Sequence, residues 1–80
     1  MKSVYKTKGT CSKAIEIETG DGIIKAVSFS GGCDGNLKGI SQLVVGMKVD
    51  EAISRLEGIK CGWKPTSCPD QLAIALKEMV

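Results

Sequence analysis

The chain has 80 residues, of which 11 are basic and 9 acidic, giving a net charge of +2. A chain this short forms one domain with a thin core, and charges scattered along it do not form a stripe that binds nucleic acid or membrane. With one Trp, one Tyr, one Phe and no long apolar run, the composition also argues against base stacking and membrane insertion.

The first half of the chain predicts an antiparallel meander of three strands. Strand-type composition occurs at residues 4–7, 14–18 and 23–30. Apolar and charged residues alternate from Ile15 to Glu18, as in a strand with one solvated face. Residues 19–22, Thr-Gly-Asp-Gly, are typical of a turn. The third strand is predicted to place Ile23, Val27 and Phe29 on one face.

The second half predicts three helices. From Asn36, apolar residues recur at helical spacing, namely Leu37, Ile40, Leu43, Val44 and Met47. A second, short helix is predicted from Asp50, a favourable N-cap, to Gly58, a typical C-terminal glycine.

The third helix is predicted to begin at Ser67 or Cys68 as its cap, with Pro69 in the first turn. Strands followed by helices indicate an α+β fold, with a small three-stranded antiparallel sheet and three helices packed on one face of it. Residues 1–80 are predicted to form a single domain.

Four cysteines are the candidate centre of chemistry: Cys11, Cys33, Cys61 and Cys68. The first residues lack the apolar stretch of a signal peptide, which predicts a cytoplasmic protein, where cysteines are typically metal ligands, redox thiols or buried residues. Their spacing contains no C-x-x-C pair. Cys33 precedes the first helix and Cys68 begins the last, and unpaired N–H groups at such positions favour a thiolate ligand.

Antiparallel pairing is expected to bring the neighbourhoods of Cys11 and Cys33 together, while Cys61 lies within one loop of Cys68. Two alternatives remain open. In the first, some of the four cysteines are buried core residues and not ligands. In the second, Cys61 and Cys68 form a reversible disulfide. The chain has no His, which excludes a Cys-His nucleophile pair.

Residues 66–70 read Thr-Ser-Cys-Pro-Asp, the five letters that name the TSCPD domain family, and residues 33–40 are similar to that family's other hallmark. The resemblance covers nearly the whole chain. It implies a relation to the C-terminal domain of adenosylcobalamin-dependent (class II) ribonucleotide reductases, a domain that also occurs as short free-standing proteins. The chain is too short for the barrel and cobalamin site of ribonucleoside-diphosphate reductase, so the resemblance implies an accessory module and not the enzyme.

The order of strands, cysteines and C-terminal helix also resembles the U-type iron–sulfur scaffold proteins (NifU/IscU-like), which bind zinc or a nascent cluster. That resemblance implies Cys11, Cys33 and Cys68 as site cysteines. The scaffold family has an Asp where this chain has Lys13 and a His where it has Ser67, so Cys61 is the candidate for the fourth ligand.

We therefore expect Zn²⁺ held by all four cysteines in an accessory or binding module with a protein partner, for which a ribonucleotide reductase is the candidate, acting through this site or the surface around Trp63. The alternatives are a thiol redox partner, with Cys68 attacking and Cys61 resolving, and a carrier or assembly protein for an iron–sulfur cluster. A homodimer is compatible with the sequence; no nucleic-acid or membrane partner is expected.

Overall fold

A computed structural model describes residues 1–10, 12–32 and 34–79, apart from the side chain of Asp34. It confirms the predicted α+β architecture, with three antiparallel strands followed by three helices. The strands are β1 (Lys2–Lys6), β2 (Ser12–Gly20) and β3 (Ile23–Gly31), and the helices are α1 (Asp34–Val44), α2 (Val49–Leu56) and α3 (Cys68–Met79).

The sheet has the order β1-β2-β3, and both pairs of strands are antiparallel. The β2–β3 connection is the two-residue turn Asp21-Gly22, in which both residues have positive φ (55° and 75°). Asp-Gly suits such a hairpin because Gly adopts positive φ without steric cost and Asp tolerates it. The register pairs Ser12 with Gly31, so the start of β2 lies beside the end of β3.

One face of the sheet carries the helices. Tyr5, Ile15 and Phe29 are opposite one another on this face, whereas the opposite face exposes Val4 and Glu16. The buried core draws residues from β2, β3 and all three helices: Ile15, Ile17, Ile24, Val44, Val49, Ala52, Leu72, Ala75 and Leu76. The helices therefore cover one face, as predicted.

A register shift in β3 corrects the predicted face. Glu18 pairs with Ala26 but Thr19 pairs with Ile24, so Lys25 is an extra residue in the strand. A bulge of this kind inverts the alternation of side chains. In consequence Ile24, and not Ile23, is fully buried in the core.

The connection between α1 and α2 is held to β3 by backbone hydrogen bonds. Ile24 N–H donates to the Met47 carbonyl at 2.9 Å, and Val49 N–H donates to the Gly22 carbonyl at 2.9 Å. This pairing sets the start of α2, so the N-cap is Lys48, in an extended conformation, and the predicted cap at Asp50 was wrong. Asp50 instead lies in the first turn of the helix.

None of the helices found within residues 1–10, 12–32 and 34–79 combines the length and apolar character needed to cross a membrane.

Candidate functional site

Ser67 is the N-cap of α3, which makes Cys68 the first residue of the helix. The Ser67 hydroxyl accepts a hydrogen bond from the Asp70 N–H at 3.1 Å, and the Ser67 carbonyl accepts one from the Gln71 N–H at 2.8 Å. Both are typical of a serine cap. Pro69 follows without cost because N–H groups in the first turn have no partner within the helix.

The side chains around this cap bind the preceding loop. Asp70 accepts a hydrogen bond from Gly58 N–H at 2.8 Å through Oδ1 and one from the Thr66 hydroxyl through Oδ2. The Ser67 hydroxyl donates to the Ile59 carbonyl at 2.6 Å. Three letters of the five-residue motif therefore fix the loop between α2 and α3 to the start of α3.

Gln71, in the next position, extends this network towards the end of β1. Its Nε2 donates to the Thr66 hydroxyl and its Oε1 accepts from Lys8 N–H, each at 3.0 Å. The Gln71 side chain is buried, as is Thr66. Because buried polar groups are costly unless hydrogen-bonded, these contacts hold the segment after β1 against α3.

The Cys68 sulfur points towards the start of β2. Its Sγ lies 3.1 Å from Ser12 Oγ, and Ser12 is only 4% exposed. A second hydroxyl, Thr10 Oγ1, lies 3.1 Å from Ser12 Oγ. The sequence did not predict a role for either hydroxyl residue. Serine and threonine beside a cysteine indicate no site by themselves, and Cys68, which Ser12 contacts, is 56 positions away along the chain.

Cys61 lies in a tight turn next to the start of α3. Its N–H donates to the Thr66 carbonyl at 3.2 Å, and its carbonyl accepts from Lys64 N–H at 3.0 Å, across a turn with Gly62 at φ 59°. Cys61 is exposed and Cys68 half-buried, and no disulfide joins these two residues. Both line a small cavity of about 20 Å³, together with Thr10, Lys64, Thr66 and Ser67.

Cys11 and Cys33, the other two predicted ligands, lie outside the described residues. Their neighbours in the chain are described. Ser12, which follows Cys11, contacts the Cys68 sulfur, and Thr10, which precedes it, lines the cavity of Cys61 and Cys68.

Gly32, which precedes Cys33, packs against the start of β2. A Cβ atom at Gly32 would lie 3.1 Å from Ser12 N and 2.8 Å from Leu37 Cδ1, and its φ of +81° also favours glycine. On the other side of Cys33, Gly35 lines the same groove as Cys61 and Cys68. The residues that flank Cys33 therefore lie close to the start of β2 and to the start of α3.

That groove, between α1 and the start of α3, has a volume of about 570 Å³. We call it the α1–α3 groove; its apolar lining comprises Leu37, Ile40, Leu43, Ile59 and Pro69. Leu43, one of the apolar residues whose spacing predicted α1, is 77% exposed here. The two cysteines thus line an apolar groove that reaches the surface.

Among the described residues, no group of three or more His, Cys, Asp or Glu side chains is arranged to hold a metal ion. Since two of the four predicted ligands are outside this part of the chain, the four-cysteine site stays a prediction. Cys61 and Cys68 are the two predicted ligands that the described structure brings to a common cavity.

A comparison with protein families matches the chain to the TSCPD domain over residues 2–80. Neither the curated proteins nor the solved structures include a significant match. The family match confirms the resemblance seen in residues 66–70, and it spans nearly the whole chain. The protein therefore belongs to the TSCPD domain family, whose domain is found in ribonucleotide reductases.

Proposed function

We propose that this protein is an accessory or binding module related to class II ribonucleoside-diphosphate reductases, and that Cys11, Cys33, Cys61 and Cys68 together bind one Zn²⁺. Family membership supports the first part of the proposal. The second part is carried by one observation: the described neighbours of all four cysteines meet around the start of α3.

Thiolate ligands suit this location chemically. Zn²⁺ in structural sites takes four ligands tetrahedrally, at about 2.3 Å for sulfur. Four thiolates around Zn²⁺ carry a net charge of −2, which nearby positive groups would offset. Lys64 lines the cavity beside Cys61 and Cys68, and the first turn of α3 presents the positive end of its dipole there.

Such a site would add to the apolar core that holds the second half of this short chain to its first. At the start of β2 and of α3, the two elements meet through the polar Ser12–Cys68 contact. A metal that joins the segments before β2, before α1 and before α3 would close two long loops, from residue 11 to 33 and from 33 to 61. Because metal binding occurs in the folded state, its free energy would add directly to stability.

The metal proposal is tested by zinc content and thiol titration on protein purified without a histidine tag under anaerobic conditions. We expect about one zinc per chain and four thiols that react only after a chelator is added. Single Cys→Ser variants at the four positions should each lower zinc affinity. Metal-free protein with four reactive thiols would contradict the zinc site.

The accessory role has a separate test. The zinc-loaded chain is mixed with a class II ribonucleotide reductase, and nucleotide reduction is measured with and without it. Trp63, which is 92% exposed in the turn beside Cys61, is the side chain to substitute. We expect Trp63→Ala to weaken any effect; an unchanged rate at every ratio of the two proteins would contradict the accessory role.

A thiol redox function is the second candidate, and one observation favours it: Cys61 is exposed and shares a cavity with Cys68. In that reaction the Cys68 thiolate attacks a substrate disulfide and releases one of its sulfurs as a thiolate. Cys61 then displaces the second, leaving a Cys61–Cys68 disulfide and a fully reduced substrate. Rapid reduction of that disulfide by a thioredoxin system would favour this function over the zinc site.

An iron–sulfur carrier function is tested by anaerobic reconstitution with iron and sulfide. A stable brown protein that transfers its cluster to an acceptor would indicate that the cysteines bind an iron–sulfur cluster and not zinc. A colourless product would count against the carrier function.

A further inference from the structure

Three polar side-chain atoms form a continuous chain at the start of β2. Thr10 Oγ1 lies 3.1 Å from Ser12 Oγ, which in turn lies 3.1 Å from Cys68 Sγ. Ser12 is 4% exposed, so its hydroxyl has little access to water. A buried hydroxyl must satisfy its hydrogen bonds within the protein.

The direction of these hydrogen bonds follows from the charge of the sulfur. A thiolate accepts hydrogen bonds and donates none, so with Cys68 as a thiolate the Ser12 hydroxyl is the donor. The oxygen of Ser12 can then accept from the Thr10 hydroxyl, whose single proton also faces the Ser12 carbonyl at 3.3 Å. Each bond in such a chain strengthens the next by polarising it.

The backbone around Ser12 is held at more than one point, so the loss of one contact leaves the others. The Ser12 carbonyl accepts a hydrogen bond from the Thr7 hydroxyl, and Gly32 approaches so closely that a Cβ there would lie 3.1 Å from Ser12 N. Neither contact touches the Cys68 sulfur. The turn before β2 is therefore fixed independently of the hydrogen bond to the sulfur.

We propose that Ser12 is a positioning residue of the thiolate site. Its hydroxyl donates a hydrogen bond to the Cys68 sulfur and fixes the orientation of that ligand, while the Thr10 hydroxyl donates to the Ser12 oxygen. The inference rests on the proposed metal site in treating Cys68 as a thiolate. Hydrogen bonds from outside the ligand set orient ligands and tune the metal, and their loss typically weakens metal affinity by about 10- to 100-fold.

The test compares Ser12→Ala with Thr7→Val. Both variants remove one hydroxyl from the same turn, but only Ser12→Ala removes the donor to sulfur. We expect Zn²⁺ affinity, measured by competition with a chelating dye, to fall by about 10- to 100-fold in Ser12→Ala and to change by less than about threefold in Thr7→Val.

Co²⁺ in place of Zn²⁺ gives a readout that a purely structural role would not move. A hydrogen bond to sulfur lowers the energy of its lone pairs, so its loss shifts the sulfur-to-cobalt charge-transfer band to longer wavelength. We expect this shift in Ser12→Ala and a smaller one in Thr10→Val, which removes the backing hydroxyl. An unshifted band with unchanged affinity in Ser12→Ala, or equal effects in Thr7→Val, would overturn the inference.

Failure of the metal site is distinguishable from failure of this inference. If the unaltered chain binds neither Zn²⁺ nor Co²⁺, the proposed site falls, and alkylation by iodoacetamide then tests Ser12. Mass spectrometry follows Cys68 and Cys61 separately. Slower alkylation of Cys68 relative to Cys61 in Ser12→Ala, but not in Thr7→Val, would uphold the positioning role without metal; no difference would refute it.

Discussion

The carboxylate of Asp70 is expected to be a major stabilising group of the loop before α3. It accepts hydrogen bonds from Gly58 N–H and from the Thr66 hydroxyl. A hydrogen bond to a charged group contributes about 1.5–3 kcal/mol, and less where it is exposed, as at Gly58. A negative charge in the first turn of a helix adds about 0.3–1 kcal/mol.

Replacement of Asp70 by Ala should therefore lower the free energy of unfolding by about 3 kcal/mol. A domain of this size has a total stability of about 4–12 kcal/mol, so the loss is a large fraction. Asp70→Asn retains one acceptor oxygen and should cost about half as much. Urea denaturation of the metal-free protein, followed by circular dichroism, measures both.

Asp50→Ala is the matched control. Asp50 also lies in the first turn of a helix but is exposed. Its loss should cost only the dipole contribution of about 0.3–1 kcal/mol. If Asp70→Ala and Asp50→Ala agree within about 0.5 kcal/mol, the hydrogen bonds of Asp70 contribute nothing measurable and the reasoning is refuted.

Four further substitutions test the fold. Gly32→Ala should cost about 2 kcal/mol in urea denaturation, because positive φ and close backbone contact both oppose a Cβ. In the same assay Leu72→Ala, in the core, should cost about 2–5 kcal/mol, and Leu43→Ala less than about 0.5 kcal/mol. Burial, together with the nearby carboxylates of Glu78 and Asp70, raises the pKa of Tyr5 above 10.0. The free energy of unfolding should therefore decrease as the pH rises through and above that value, and Tyr5→Phe should make this decrease smaller.

The hairpin and helices were predictable because their signals are local. Asp21-Gly22 specifies the turn, and apolar spacing specifies the helices. Leu43 shows that apolar character alone does not indicate burial: at 3.6 residues per turn it lies about 120° around α1 from Leu37, outside the buried stripe. Ser41 takes the buried place instead, with its hydroxyl bonded to the Leu37 carbonyl at 2.8 Å.

The bulge at Lys25 and the approach of Ser12 to Cys68 could not be predicted from local patterns. The bulge depends on pairing between β2 and β3, and 56 residues separate Ser12 from Cys68 along the chain. Pairing of the hairpin does explain the expected approach of the segments around Cys11 and Cys33, since Ser12 pairs with Gly31.

The side chains of the five-residue motif at 66–70 have two different sets of contacts. Thr66, Ser67 and Asp70 use their side chains to cap α3 and to fix the preceding loop, whereas the Cys68 sulfur reaches across to Ser12. A variant that kept all four cysteines but lost the cap would still present the thiols, though without the hydrogen bonds that fix the loop before Cys68. The motif is therefore better understood as a device for placing one sulfur than as a set of reactive groups.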